Sequence, residues 1–400
     1  MNDDHADPAV ASHAPESSPA QEDGESHREG AVGRRSFLAG VGLVGAAAAA
    51  PAALWPAGAI AGIGDRDSIT KGDVAILSFL AAAEIIETDL WEQYNELGGA
   101  SGGNPSYIAA LGNLDGDMPQ YISDNTDDER SHAAFLNAYL ESKGADPVNL
   151  DAFRTLPSSK ATGAQQIGRL TNLMKLNVDT SWYTRYRSKL NPDFGATFPQ
   201  AVDIQNEPAI PLNDTDTPPN TAQPVPPTTR DARRMQAIAN TAGFHFAMIE
   251  QGGSSLYTSL SLNASSLEVL RIVVSIGGTE VNHFAIWHDK AGNAVHDTLA
   301  GVVDPVTGVT FPDLNSPPFG GDQFTTNLIM PEPCEFISPS LPLCSVIRPS
   351  DNRFAGARAA VAALTADGLF DGQSRAFFRA AMKLAEAADS AQRKVRHGGR

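Results

Sequence analysis

Between positions 73 and 97 the run DVAILSFLAAAEIIETDLWEQYNEL repeats apolar side chains at helical spacing without a proline, and Gly98-Gly99 follows as a stop. A second helix is expected over 118–143, with Gly144 closing it. The segment ATGAQQIGRLTNLMKLNVDTSWYTRYRSKL, residues 161–190, reads as a third helix that ends at Asn191-Pro192. Residues 190–229 then fill with prolines and lose the period, which predicts an extended crossing over the surface. Helical spacing returns over 230–260 and again over 265–292. Residues 293–350 are rich in Pro, Gly and Asp, so short strands and turns are expected there. The last stretch, 351–400, carries two helical patterns broken near Asp371-Gly372.

Two long helices, a long connection and two more long helices form the connectivity of a four-helix bundle with one long crossover. No alternation of strands and helices competes with it. The expected fold class is therefore all-α. The bundle occupies 66–292, its crossover holds an extra helix and the Pro-rich 190–229, and an irregular and helical C-terminal extension follows over 293–350 and 351–400.

The chemistry sits on those four helices. Glu129 and His132 stand three apart on the second, and Glu280 and His283 repeat that spacing on the fourth. Residues i and i+3 share a helix face, so each pair aims both groups at one point. On the first helix Glu84 has Leu90 and Trp91 six and seven residues on; on the third, Glu250 has Leu256 and Tyr257 at the same offsets. This is the mark of a duplicated helix pair. Glu87 shares the Glu84 face, with Tyr94 seven residues on, and stays open as the alternative. Bare carboxylates inside a bundle each cost several kcal/mol, relieved by a proton or a metal. Carboxylate and imidazole donors together favour iron or manganese.

This set resembles the ligand pattern of the ferritin-like di-iron carboxylate proteins, over about residues 70–290, and its elongated crossover is most similar to the group that includes desiccation-related proteins. The resemblance implies a dinuclear Fe or Mn site: Glu129 and Glu280 bridging, His132 and His283 terminal, Glu84 and Glu250 capping each metal. It implies redox or stress-protective chemistry on dioxygen or peroxide, with metal ions and a small oxidant as partners. A non-catalytic protective protein with an empty or vestigial site is the alternative. The long crossover argues against a storage cage and leaves a homodimer open.

Composition narrows the partners and the compartment. The 400 residues carry a formal net charge of −18, which argues against nucleic acid, because phosphate binding needs a basic surface. Residues 1–31 have too few large apolar side chains to order themselves. Arg34 and Arg35, followed by Phe37, Leu38 and an Ala/Gly run, resemble a twin-arginine export signal. Pro51 and Pro56 interrupt that run, so residues 1–61 are expected to be a cleaved leader rather than a membrane span, and the twin-arginine export machinery becomes a partner. Cys334 and Cys344 are the two cysteines, and after export a short-loop disulfide between them is expected. His245 and His288 fall off the ligand face and read as structural, and no Gly-x-Ser-x-Gly elbow supports a hydrolase.

Overall fold

Thr70 starts the first helix by closing a capping box with Asp73. The Asp73 amide donates to Thr70 Oγ1 at 3.1 Å, and the Thr70 amide donates to Asp73 Oδ2 at 3.0 Å. Asp73 Oδ1 also accepts from the Ser265 amide at 2.8 Å, so one carboxylate ties the start of the first helix to a turn almost two hundred positions away. The computed structural model describes residues 69–185, 198–216, 224–296, 299–314, 316, 333–345 and 356–394. The chain divides into units 1–63 and 64–400, and every described residue belongs to the second. The leader with Arg34 and Arg35 lies outside the described residues.

Four long helices make the bundle: α1 (Lys71–Gly98), α3 (Met118–Ser142), α5 (Arg230–Ser261) and α6 (Leu267–Gly292). α1 packs along α3 and α5 along α6. Side-chain caps set their starts: Thr229 accepts from the Ala232 amide and Ser266 from the Val269 amide. Gly144 follows α3 with φ of +73°, a left-handed turn that a side chain would resist. α6 is long and apolar enough to cross a membrane by length and composition, yet it lies against α5 with its polar Glu280 and His283 buried.

Two features depart from the sequence pattern. A short helix, α2 (Pro105–Leu114), capped by Asn104, fills the connection between α1 and α3. The expected helix over 161–190 is largely absent: β1 (Leu176–Val178) pairs antiparallel with β2 (Ile204–Glu207), and only α4 (Ser181–Arg185) is helical. The cause is Asp89 on α1. Its Oδ2 accepts from the Leu170 amide at 3.0 Å, the Thr171 amide at 2.9 Å and Thr171 Oγ1 at 2.7 Å. Those amides are taken by a side chain, so the segment lies extended while Leu170, Leu173 and Leu176 still reach the core.

The extension behaves as its punctuation suggests. β3 (Val302–Val303) pairs with β4 (Thr310–Phe311), and β5 (Pro333–Cys334) with β6 (Cys344–Ser345). The second ladder sets Cys334 opposite Cys344, although the Cys334 side chain lies outside the described residues. α7 (Ala357–Ala366) and α8 (Arg375–Asp389) follow, joined by Asp389, which accepts from the Ala357 amide at 2.6 Å. α8 packs on α1.

Among the described residues the apolar interior comes in two blocks. One holds Trp91, Tyr94, Met118, Ile122, Phe246 and Trp287; the other holds Leu77, Leu80, Leu136, Leu260 and Val273. On each bundle helix the boundary between blocks falls where the polar candidates stand.

Candidate metal centre

At that boundary the four helices bring together Glu84, Glu129, His132, Glu250, Glu280 and His283, none more than 8% exposed. They form two overlapping groups. Glu84, Glu129, His132 and Glu280 offer donor atoms all within 4.8 Å of one another, and so do Glu129, Glu250, Glu280 and His283. Glu129 and Glu280 belong to both. His132 Nδ1 lies 2.9 Å from Glu129 Oε2 and 3.4 Å from Glu84 Oε2 and from Glu280 Oε1. His283 Nδ1 lies 3.0 Å from Glu129 Oε1 and 3.3 Å from Glu250 Oε2.

Several of these atoms have nothing to bond. Glu84 Oε2, Glu250 Oε2, both Glu280 oxygens and His283 Nδ1 are buried without a hydrogen-bond partner. Orphaned polar atoms are rare in native interiors and costly, so a converging set of them marks a place built for a ligand that supplies charge. A cation fits that description, and carboxylate oxygens with imidazole nitrogens are a fitting donor set.

The electrostatics agree. Burial first, then the charges of Glu129 and Glu84, push Glu280 well above the usual carboxylate range. Burial and Glu250 lift Glu129 to about 7, against the opposing pull of its hydrogen bond with His132 and of the nearby His283 ring. Burial alone would lower both histidines. For His132, contacts with Glu129, Glu280 and Glu84 outweigh it, and for His283 the nearby Glu250 and Asp128 do, so both rise above the ordinary imidazole range. The cluster without a cation thus holds on to protons.

Neighbouring side chains fix the donors in place. Asn125 Nδ2 donates to Glu129 Oε1 at 2.8 Å and to Glu250 Oε1 at 3.0 Å, and its Oδ1 accepts from Trp287 Nε1 at 2.7 Å. The Tyr257 hydroxyl donates to Glu84 Oε1. Asp128 Oδ2 stands 3.0 Å from His283 Nε2, which turns the Nδ1 of that ring inward; among the described residues no corresponding acid pairs with His132 Nε2. Gly253 lets α6 approach: a Cβ there would overlap the Glu280 carboxylate. On one side, stacked Trp91 and Trp287, with centroids 5.4 Å apart, and Phe246 close the floor against water.

The sequence of residues 72–293 matches the ferritin-like domain family. The chain belongs to that family. Searches of curated proteins and of solved structures find no match. In this ferritin-like chain the structure brings Glu84 into the cluster, while Glu87 stands in neither group. His245 and His288 are elsewhere. His245 Nδ1 shares a 2.7 Å hydrogen bond with the Tyr94 hydroxyl and its Nε2 lies 3.2 Å from Asp367, and His288 stacks on Tyr183. Sequence reasoning missed Asn125 and Asp128. The available signal was that Asn125 lies one turn before Glu129 on the same face.

Proposed function

We propose that this is an exported ferritin-like metalloprotein holding a dinuclear iron or manganese centre, with redox or stress-protective chemistry toward dioxygen or peroxide. The observation that carries it is the pair of overlapping donor groups sharing Glu129 and Glu280, with unpartnered atoms facing inward. In this reading Glu129 and Glu280 would be the groups shared by the two ions, with His132 and Glu84 completing one donor set and His283 and Glu250 the other. Cations held there would supply redox and Lewis-acid chemistry. The chain's own part is placement: Asn125 orients two carboxylates, Tyr257 a third, Asp128 an imidazole, and the Trp91–Trp287 wall keeps water out.

Elemental analysis after anaerobic reconstitution tests the centre. About two Fe or Mn per chain are expected, from one cation per donor group. Glu129→Ala should lose them, and the exposed Glu141→Ala should keep them. Less than one tightly held ion per wild-type chain would reject the centre. Export rests on Arg34, Arg35 and the apolar run behind them. Replacing both arginines by lysine should leave the unprocessed chain in the cytoplasm of a host with this pathway; unchanged export would count against the assignment.

A further inference from the structure

The duplicated helix pairs differ behind their histidines. Asp128 stands immediately before Glu129 on α3 and reaches His283 of α6, its Oδ2 3.0 Å from Nε2. The matching position before Glu280 on α6 is Thr279, which has no carboxylate to offer His132 of α3. In its place is an open groove of about 570 Å³ between α3 and α6, and His132 and Thr279 both line it. His132 is only 8% exposed, and its Nδ1 is turned inward among Glu129, Glu84 and Glu280. Its Nε2 makes no hydrogen bond or ion pair among the described residues.

The other walls of the groove favour the group that is missing. Arg271, Ser275 and Thr279 recur four apart on one face of α6, and all three border it. Glu268, the acid that borders it, is already engaged: Lys143 Nζ lies 2.8 Å from its Oε2, and the Tyr139 hydroxyl donates to the same oxygen at 2.9 Å. Those contacts hold Glu268 below the usual carboxylate range. Arg271 adds its charge nearby without pairing directly to it. A guanidinium can only donate, and the hydroxyls of Ser275 and Thr279 can donate too. A cation would therefore meet Arg271 and no free acid, whereas an anion would meet donors, even in a chain of net charge −18. Phe135, Ile272 and Ile276 supply an apolar wall beside them.

We propose that this groove binds a small organic carboxylate, whose oxygen accepts from His132 Nε2 and takes the place that Asp128 holds at His283, with its apolar body against Phe135, Ile272 and Ile276. The hydrogen on Nε2 rests on the reading given under Proposed function, because an imidazole that serves the centre through its inner nitrogen carries its hydrogen on the outer one. The groove and the charge of Arg271 do not depend on that reading. The acids of the centre stand at the opposite edge of the imidazole, where the cations of that reading offset them. A bound carboxylate completes the second of two matched imidazole–carboxylate pairs, so occupancy of the groove sets whether the two halves of the centre are alike.

Calorimetric titration of the purified protein with benzoate, benzyl alcohol and inorganic phosphate tests it, since benzyl alcohol keeps the body without the charge and phosphate the charge without the body. One saturable site for benzoate is expected, with the other two at least about tenfold weaker, a loss of about 1.4 kcal/mol. Thr279→Asp builds the missing acid into α6 and should weaken benzoate at least about tenfold, whereas Thr279→Ser should stay within about threefold of wild type. Arg271→Gln should also weaken benzoate at least about tenfold, and Arg379→Gln on α8 should leave it unchanged. Far-ultraviolet circular dichroism establishes which variants fold. Absence of saturable benzoate binding to wild type, equal binding of benzyl alcohol or phosphate, or unchanged benzoate affinity in folded Thr279→Asp or Arg271→Gln would overturn the proposal. The three-ligand comparison needs no variant. Metal content measured on the same samples separates the two readings: a benzoate site in a chain that holds no metal keeps the groove and removes the centre, and metal bound without a benzoate site removes the groove alone.

Discussion

Gly252 and Gly253 are neighbours on α5 with opposite constraints. At Gly253 a methyl group would displace the Glu280 carboxylate, one of the two shared donors, whereas at Gly252 it would enter open space. Gly253→Ala should therefore weaken metal binding at least about tenfold, the scale of losses when a ligand's support is disturbed. Gly252→Ala should leave binding intact and raise stability by about 0.5 to 1 kcal/mol, as glycine in a helix interior costs that much relative to alanine. Competitive chelator titration and urea unfolding of the two variants check both halves. Equal metal affinity in the two would show that close approach at Gly253 is not what positions Glu280.

At the scale of elements, legibility followed the length and locality of the signal. The bundle helices carry long apolar periods, and the duplicated Glu-x-x-His spacing pointed to one height on all four. Asn125 and Asp128 escaped because the second copy does not repeat them: Ile276 and Thr279 stand at the corresponding offsets from Glu280. The crossover misled because Leu170, Leu173 and Leu176, three apart, imitate a helix face, and nothing local announces that Asp89 will bind their backbone. α2 was passed over because ten residues give too short a period to stand out.

The crossover also carries a pH-dependent clasp. Arg234 on α5 meets Glu207 on β2, Asp216 and Asp304, so three carboxyl groups share one guanidinium. Burial, then the neighbouring Asp304, lifts Glu207 to about 9, and the Asp304 carboxylate stays charged. Between the usual carboxyl range and about 9 the folded chain holds a proton that the unfolded chain has lost. This contribution is complete below the unfolded value and drains away as pH rises toward about 9. Glu207→Gln mimics the protonated form. Urea unfolding between about pH 5 and pH 9 should show wild type losing stability relative to Glu207→Gln as pH rises. A difference independent of pH would remove the shared proton.

At the scale of the molecule, the four helices pass through oil, then charge, then oil. The charged layer contains groups whose mutual repulsion raises Glu129 and Glu280, and a bound cation would convert that repulsion to attraction. Hydrogen exchange should then be fastest, within the bundle of the metal-free protein, at amides 125–132 and 276–283, and should slow there on metal addition while the Trp91–Trp287 end changes little. Uniform exchange along α3 and α6, unaffected by metal, would contradict this. The divided interior also bears on how the fold is lost. Two oily blocks spanned by the same four rods melt together only if the layer between them transmits order, so its neutralisation decides whether the protein has one cooperative unit or two.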